Sequence, residues 1–454
     1  RRLDEELVKA ASKPPGERNK EKESQWRAEK EEMTANLEEL DGRLVQEFPE
    51  YAELTSPQPA PVAAVQALLG PDEALIAYLV GFDRTHLWVL RADRAEQFVV
   101  EYTRRDLEDA VGKLHPGKTL EEAKRVEDLP EFDVETAHDL YQTLLGPAEG
   151  MLGGVKHLLV VPTGPLQSLP LGVLVTSPPE NGVSDHAWLA KQFAITTLPT
   201  VSSLRALRKF AKATKASDPF TGFGNPSLSG SEGDARGVEV ASLFRGTIAN
   251  VDEVRKLQSL PGTAAELRQI ADYLGGKEKD LYLRDRATET AVKERILNQS
   301  KVVAFATHGL ISGELKGLSE PALVLTPPAK GTEADDGLLT ASEIAQLQLN
   351  ADFVILSACN TASADKPGAE GLSGLAKAFF YAGARSLLVS HWLVESSAST
   401  KLTTGMFDEL KADPGIGRSE ALRRSMMALA KNQKYAHPLL WAPFVVVGEG
   451  GAQR

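Results

Sequence analysis

Residues 301–309 read KVVAFATHG and residues 353–360 read FVILSACN, and both are apolar stretches that run directly into polar side chains. Their apolar parts have the length and composition of strands buried on both faces, which are typical of parallel sheets covered by helices. In an open parallel sheet, ligands bind just beyond the carboxyl ends of the strands. We therefore expect His308 and Cys359 to emerge close together at one edge of such a sheet.

Strands and helices alternate around these two stretches. The pattern predicts strands at 220–223, 386–390 and 444–447, and helices at 372–381, 397–410 and 419–431. Two further helices begin near Thr263 and Thr288, and Glu266 three residues after Thr263 predicts a capping box. Alternation of this kind predicts an α/β fold with a mostly parallel sheet and helices on both faces.

The chain divides into three predicted regions. Residues 1–55 form a charged helical arm, whose apolar residues at 33, 37, 40 and 44 lie on one helix face. A proline-rich connector separates the arm from an α/β subdomain at 62–205, with strands at 73–80, 85–91, 96–102 and 156–162. A catalytic subdomain at 218–454 follows. The strand ends of the 62–205 subdomain carry no nucleophile and no base.

Composition excludes several classes of protein. The 454 residues include 51 Lys and Arg against 63 Asp and Glu, a net charge of −12 that argues against direct nucleic-acid binding. A single cysteine excludes an intramolecular disulfide and multi-cysteine metal sites, which favours a reducing, cytoplasmic compartment. No apolar run is long enough to span a membrane. The chain begins without Met or a signal segment, so we expect it to be part of a longer protein.

The pair of His308 and Cys359 suggests nucleophilic catalysis. A thiolate is the nucleophile, and a neighbouring imidazole takes its proton and later protonates the leaving amine. Gly309 leaves the backbone N–H unobstructed, so the N–H groups of Gly309 and Cys359 are candidate oxyanion donors. Either residue alone is more often a core or surface residue, but their placement at two strand ends favours function. The interval of 51 residues matches that of caspase-type peptidases.

Several blocks of sequence resemble the CHAT family of caspase-like domains associated with tetratricopeptide repeats. The blocks are AFATHG at 304–309, DGLLTA at 336–341, LSACNT at 356–361, EGLSGLA at 370–376, AGARS at 382–386 and WAPF at 441–444. The match is strong from about 261 to 448. A weaker match extends back to residues 48–51, where such domains usually follow a helical-repeat array.

The resemblance implies a cysteine endopeptidase of the caspase and separase clan. By position, His308 is the general base and acid, Cys359 the nucleophile and Gly309 an oxyanion donor. It further implies that a degenerate, pseudo-peptidase-like half precedes the active half, and that residues 1–55 end a helical-repeat region. A protein substrate, control by a helical-repeat sensor and regulated proteolysis in bacterial defence or cell death are also implied.

Other residues are candidates for substrate binding. The segment 391–395 departs from the family pattern and contains His391, Trp392 and Glu395, next to the predicted substrate groove. His391 is interpreted as a pocket residue, a rival base or a solvated loop residue, and Trp392 also as a packing residue. Asn225 follows the 220–223 strand, and its Gly-Asn-Pro context also suits a plain turn. Asp336 is a candidate for binding a basic side chain.

Three functions compete. The first is cleavage of a protein substrate through an acyl-enzyme. The second is a catalytically silent interaction or scaffold module, and the third is a small-molecule cysteine hydrolase with an enclosed pocket. Because phosphate-loop, dinucleotide, serine-elbow and zinc-helix motifs are missing, we expect no organic cofactor and no catalytic metal.

Overall fold

The computed structural model describes residues 60–115, 128–179, 185–205, 207–208, 216–230, 244–245, 248–310, 320–357, 374–392 and 396–452, with scattered positions from 19 to 43. Two compact units comprise Arg1–Pro59 and Ala60–Arg454. In the first, the described positions from 21 to 43 are α-helical, and Met33 on the predicted apolar stripe is 55% exposed. The rest of that stripe lies outside the described residues.

The second unit is built on an eleven-stranded sheet accompanied by two small sheets. In chain order the described strands are β1 Glu73–Val80, β2 Thr85–Leu90, β3 Ala95–Val100, β4 His157–Val161, β5 Ala194–Thr197, β6 Asp218–Pro226, β7 Phe244–Arg245, β8 Ile248–Ala249, β9 Leu281–Arg284, β10 Ser300–Ala306, β11 Gly309–Leu310, β12 Ala322–Val324, β13 Leu338–Thr340, β14 Phe353–Ser357, β15 Ser386–Ser390 and β16 Phe444–Gly448. The strands predicted from the sequence are confirmed to within three residues.

The large sheet consists of two blocks that run in opposite directions. Its order is β3-β2-β1-β4-β5-β16-β15-β14-β10-β6-β9. Strands β15, β14, β10, β6 and β9 are parallel to one another, as are β1, β4, β5 and β16. Because β16 pairs antiparallel with β15, the carboxyl ends of the two blocks lie at opposite edges. The predicted regions 62–205 and 218–454 therefore share one sheet.

Helices cover both faces of this sheet. The described helices are α1 Val62–Gln66, α2 Arg104–Leu114, α3 Val134–Leu144, α4 Leu189–Gln192, α5 Ser203–Arg205, α6 Val251–Arg255, α7 Gly262–Leu274, α8 Glu289–Glu294, α9 Ala341–Ile344, α10 Gly374–Tyr381, α11 Ser396–Ala412, α12 Arg418–Ala430 and α13 Pro438–Trp441. None of the described helices combines the length and apolar character that crossing a bilayer requires.

Alternating side chains of each central strand enter two different hydrophobic cores. In β10, Val302, Ala304 and Ala306 face the core that contains α7, α11 and α12. Val303 and Phe305 face the opposite core, which contains α8, α9 and α10. A strand alternates its side chains between faces, so a strand buried on both sides is apolar throughout. This explains the uninterrupted apolar run from 302 to 306.

A buried ionic network ties the two halves of the sheet together. Arg208, after α5, donates through Nη1 and Nη2 to the two carboxylate oxygens of Glu73 on β1, at 2.6 and 2.8 Å. Its Nε donates to Glu449, just after β16, at 2.9 Å. On the other side of Glu73, His157 Nδ1 lies 3.2 Å from Oε1. The cluster joins β1 and β4 of the first half to the residue that follows β16.

Candidate active site

Three neighbouring parallel strands carry predicted site residues at their carboxyl ends. Ala306 at the end of β10 is paired with Ser357 at the end of β14 and with Gly224 of β6. Asn225 follows Gly224, and His308 lies two residues beyond Ala306. Cys359 lies two residues beyond Ser357 in the sequence, outside the described residues. The register therefore brings Asn225 and the strand ends that precede His308 and Cys359 to one edge of the sheet.

His308 is held by a backbone carbonyl. Its ring is buried, with only 3% of the residue exposed, and its Nε2 lies 2.8 Å from the carbonyl oxygen of Gln258. A carbonyl oxygen only accepts hydrogen bonds, so Nε2 carries the proton in this contact. The second ring nitrogen, Nδ1, is then unprotonated in the neutral ring. This is the protonation pattern that a general base requires.

The segment that supplies this carbonyl is fixed by close backbone packing. Gly230 donates its N–H to Leu257 O at 3.0 Å and forms a parallel bridge with Gln258. A Cβ atom on Gly230 would lie 2.5 Å from Lys256 O and 2.7 Å from Leu257 O. Only glycine permits this approach without displacing the segment that holds His308.

Gly309 lies at the start of β11 and pairs with Leu323 of β12. The preceding carbonyl, that of His308, accepts a hydrogen bond from Val324 N at 2.9 Å. The backbone on both sides of this peptide is therefore fixed by the three-stranded sheet of β11, β12 and β13. A fixed backbone N–H is what an oxyanion donor needs, because it then costs no reorganisation during reaction.

Asn225 is strained and incompletely hydrogen-bonded. Its φ of 44° lies in the left-handed region, which residues other than glycine seldom adopt. The side chain is buried, with 8% of the residue exposed, and no described group hydrogen-bonds to its buried Oδ1. Strained backbone and unsatisfied buried polar atoms are concentrated at functional sites. Asn225 thus remains a candidate for contacting a bound substrate.

Asp336 uses both carboxylate oxygens within the protein. It accepts hydrogen bonds from the backbone N–H groups of Ala249 and Leu338, at 2.6 and 3.0 Å. Burial raises the pKa of this carboxyl above its usual range despite those two bonds. Nearby, buried Glu289 accepts from the backbone N–H of Asp336 at 2.8 Å. These contacts fix the loop before β13, and they leave Asp336 as an anchor of that loop rather than an open carboxylate.

The sequence placed His391 and Trp392 beside the substrate groove, but the structure buries both. Trp392 is 1% exposed, donates through Nε1 to Leu439 O at 2.9 Å and contacts the His115 ring edge-on. It is a packing residue, which corrects its assignment to substrate binding. His391 is 5% exposed, so it is not a solvated loop residue. It lines an apolar cavity with Leu166, Phe193 and Phe444, beneath α12.

Burial keeps His391 neutral. Desolvation, followed by the nearby His115 ring, lowers the pKa of His391 to about 3. An unfolded chain has a histidine pKa near 6.5, so it binds more protons than the folded chain below that pH. Stability contributed by His391 is therefore present above pH 6.5 and is lost as the pH falls from 6.5 towards 3.

We expect wild type to lose about 2 kcal/mol more folding stability than His391→Gln when the pH falls from 7 to 5. Urea unfolding at each pH measures this difference. Gln269→Ala, an exposed change on α7 that removes no titratable group, serves as the control and should parallel the wild type. Equal losses in wild type and His391→Gln would show that His391 does not stay neutral in the folded protein.

The contacts of Glu266 differ from those that its sequence position predicts. The predicted capping box of Thr263 and Glu266 is wrong, since α7 begins at Gly262 and has no side-chain cap. The Glu266 carboxylate instead accepts hydrogen bonds from Ser357 Oγ at 3.2 Å and Thr403 Oγ1 at 3.1 Å. The second predicted helix start is confirmed, because Thr288 accepts a hydrogen bond from Ala291 N at 3.0 Å. Glu395 lies outside the described residues.

No cluster of three or more His, Cys, Asp or Glu side chains suitable for a metal occurs among the described residues. The apolar cavity beneath α12 lies on β4, β5 and β16. Of the predicted site residues in the described part of the chain, His391 is the one that lines it. The site geometry therefore rests on the strand ends of β6, β10 and β14.

Comparisons with known proteins agree with this fold. The family model of the CHAT domain matches residues 134–449, and the chain belongs to the CHAT domain family. Tetratricopeptide repeat protein 28 from Homo sapiens is 27% identical over 353 residues, which cover 68% of this chain and 13% of that protein. The protein of the same name from Mus musculus is 26% identical over 360 residues, with the same coverage. The chain thus spans about an eighth of the length of these two relatives.

A solved structure shares this fold over most of the chain. Separase in the Saccharomyces cerevisiae separase–securin complex matches with a TM-score of 0.51 at 10% identity, over 89% of this chain and 31% of that chain. The Arg-specific cysteine proteinase gingipain R matches with a TM-score of 0.40 at 11% identity, over 77% of this chain and 75% of that chain. The separase match shows that the two chains share a fold, the α/β architecture with a large, mostly parallel sheet and helices on both faces that the sequence predicted.

Proposed function

We propose that the chain is a cysteine endopeptidase that cleaves a protein substrate through an acyl-enzyme, with His308 and Cys359 as its dyad. The carrying observation is the pairing of Ala306 with Ser357. Because of this pairing, the segments that lead to His308 and Cys359 begin at adjacent positions on neighbouring parallel strands. Buried His308 and its hydrogen bond to Gln258 O support the role of base.

The proposed reaction has two stages. The Cys359 thiol gives its proton to His308 Nδ1, and the thiolate attacks the scissile carbonyl carbon. The backbone N–H groups of Gly309 and Cys359 stabilise the oxyanion of the tetrahedral intermediate. His308 then protonates the leaving amine, and the peptide C–N bond breaks. Water, deprotonated by His308, attacks the thioester carbonyl carbon. The C–S bond then breaks, the acid product leaves, and the Cys359 thiolate takes the proton back from His308.

Regulation is proposed to come from helical repeats. Both relatives are named as tetratricopeptide repeat proteins, and this chain covers only a small part of them. We propose that a repeat region outside the catalytic unit controls access to the site. We also propose that the substrate is a protein. A cytoplasmic location and a role in bacterial defence or cell death stay predictions.

Labelling of Cys359 by a peptidyl acyloxymethyl ketone tests this function. Because the chain has one cysteine, every labelled molecule reports on Cys359. We expect wild type to react at least 100-fold faster with the peptidyl reagent than His308→Ala does, because the reagent needs a deprotonated thiol and an oxyanion site. His138→Ala is the control, because His138 likewise has a ring nitrogen near a backbone carbonyl oxygen, although through Nδ1 and not Nε2: Nδ1 lies 2.9 Å from Val175 O.

Two outcomes would contradict the proposal. A wild-type rate equal to that of free cysteine would favour the silent scaffold module. Fast labelling by small electrophiles with no reaction towards any peptidyl reagent would favour a small-molecule cysteine hydrolase.

A further inference from the structure

Three contacts link one short segment to the three strand ends of the site. The segment, residues 258–266, joins Gln258 after α6 to the second turn of α7 and is called the clamp. The Gln258 carbonyl oxygen holds His308 after β10 at 2.8 Å. Thr263 holds the end of β6, and Glu266 holds the end of β14. The clamp therefore contacts the central strand of the three and both of its neighbours.

Thr263 fixes the strained residue at the end of β6. Its Oγ1 accepts a hydrogen bond from Asn225 N at 2.9 Å and donates one to Leu260 O at 2.8 Å. Thr263 is 6% exposed, so water cannot readily replace these bonds. Because Asn225 has a φ of 44°, its backbone needs such support to keep that conformation.

Glu266 fixes the end of β14 from the same helix, almost one turn further on. It is 2% exposed and accepts from Ser357 Oγ at 3.2 Å. Ser357 Oγ also lies 3.0 Å from Ser399 Oγ on α11, and Thr403 Oγ1 donates to the second Glu266 oxygen. The last residue of β14 is thereby tied to two helices at once. Burying a carboxylate costs free energy, which argues that Glu266 does more than occupy space in the core.

We propose that the clamp is a positioning element, which keeps the carboxyl ends of β6, β10 and β14 in the mutual geometry that the reaction needs. Thr263 and Glu266 are the positioning residues, acting through Asn225 and Ser357. This inference rests on the proposed cysteine endopeptidase function. Under this proposal, Thr263 and Glu266 position the site residues and do not themselves contact the substrate.

The test compares isosteric variants of the full chain. Thr263→Val and Glu266→Gln remove a hydroxyl and a charge while preserving shape, and each is expected to lower kcat at least 10-fold with KM changed less than threefold. Thr263→Ser restores the hydroxyl and should recover activity to within threefold of wild type. Ile270→Val, a buried change on the same helix, is the stability control, and exposed Gln269→Ala is the surface control. Both controls should keep wild-type kcat.

A second readout separates failure of the clamp from failure of the proposed function. The rate of Cys359 alkylation by iodoacetamide at pH 7 requires no substrate. If His308→Ala lowers this rate but Thr263→Val and Glu266→Gln do not, the clamp inference is wrong and the dyad stands. If His308→Ala leaves the rate unchanged, the dyad itself is wrong. The clamp inference would also be wrong if Ile270→Val had the same unfolding midpoint as the clamp variants and lost as much kcat as they do. The loss of kcat would then reflect general destabilisation.

Discussion

Cys359→Ala is expected to lower the rate of peptide cleavage by about 10³-fold or more, the loss typical of removing a nucleophile that works as a unit with its base. His308→Ala is expected to cause a loss of similar size, because a thiol without its base is a poor nucleophile at neutral pH. The double variant should be no worse than either single variant. The measurement is kcat/KM on the best substrate from a peptide library.

Matched controls give this result its meaning. His138→Ala removes a histidine that contacts a backbone carbonyl through its other ring nitrogen, Nδ1, in the first half of the sheet, and should retain wild-type cleavage. Cys359→Ser replaces the thiol by a hydroxyl at the same position and should still be strongly impaired, since a serine hydroxyl is far less acidic than a thiol. Wild-type cleavage by Cys359→Ala would remove the dyad from any account of the activity.

Arg208→Met is expected to lower the free energy of unfolding by about 3–5 kcal/mol, the cost of leaving buried charges without their partner. Arg208 and Glu73 have side chains that are 9% and 6% exposed, so solvent cannot take over the lost hydrogen bonds. Methionine preserves much of the side-chain volume, which isolates the charge effect. Urea unfolding of the full chain measures the change.

A surface ion pair provides the comparison. Arg104 and Glu108 form an exposed pair one helical turn apart on α2, with Nε 3.2 Å from Oε1. Arg104→Met should cost less than about 0.5 kcal/mol. Combining Arg208→Met with Glu73→Gln should recover part of the loss, because the uncompensated carboxylate is then gone. Equal costs for Arg208→Met and Arg104→Met would contradict the buried-network interpretation.

The same network has a pH signature. Burial alone would raise the pKa of Glu73, but hydrogen bonds from His157 and Arg208 and the Arg208 charge lower it well below its usual value of 4.5. A depressed folded-state pKa contributes stability above pH 4.5, which is lost as the pH falls below that value. Wild type should therefore lose more stability than Glu73→Gln on acidification from pH 5 to pH 3, an interval below the one from pH 7 to pH 5 in which His391→Gln is compared.

The sequence was informative wherever burial dictates side-chain type. The apolar runs before His308 and Cys359 predicted β10 and β14 because a strand covered on both faces cannot tolerate polar residues. The same logic located β1, β4, β15 and β16 to within three residues. It did not predict that β16 pairs antiparallel with β15, because strand direction is set by connections and leaves no mark on the apolar pattern.

The supporting contacts of the site could not be predicted for a different reason. The partner of His308 Nε2 is a backbone carbonyl, which any residue type supplies. Glu266 three residues after Thr263 matches a cap locally, and only tertiary packing shows that its carboxylate reaches Ser357. Arg208 and Glu73 are 135 residues apart. Trp392 was predicted to lie beside the substrate groove, but its side chain packs in the core. The order of residues does not show in which direction a side chain points after a strand ends.

The place of β16 in the sheet has a consequence for how the protein is made. This strand is the last of the eleven in chain order, yet it occupies the sixth and middle position, between β5 and β15. During synthesis on a ribosome, the other ten strands of the sheet emerge before β16 does. Only when Phe444–Gly448 has been released can it join them. The large sheet of the proposed peptidase can therefore be completed only after its last strand has been made.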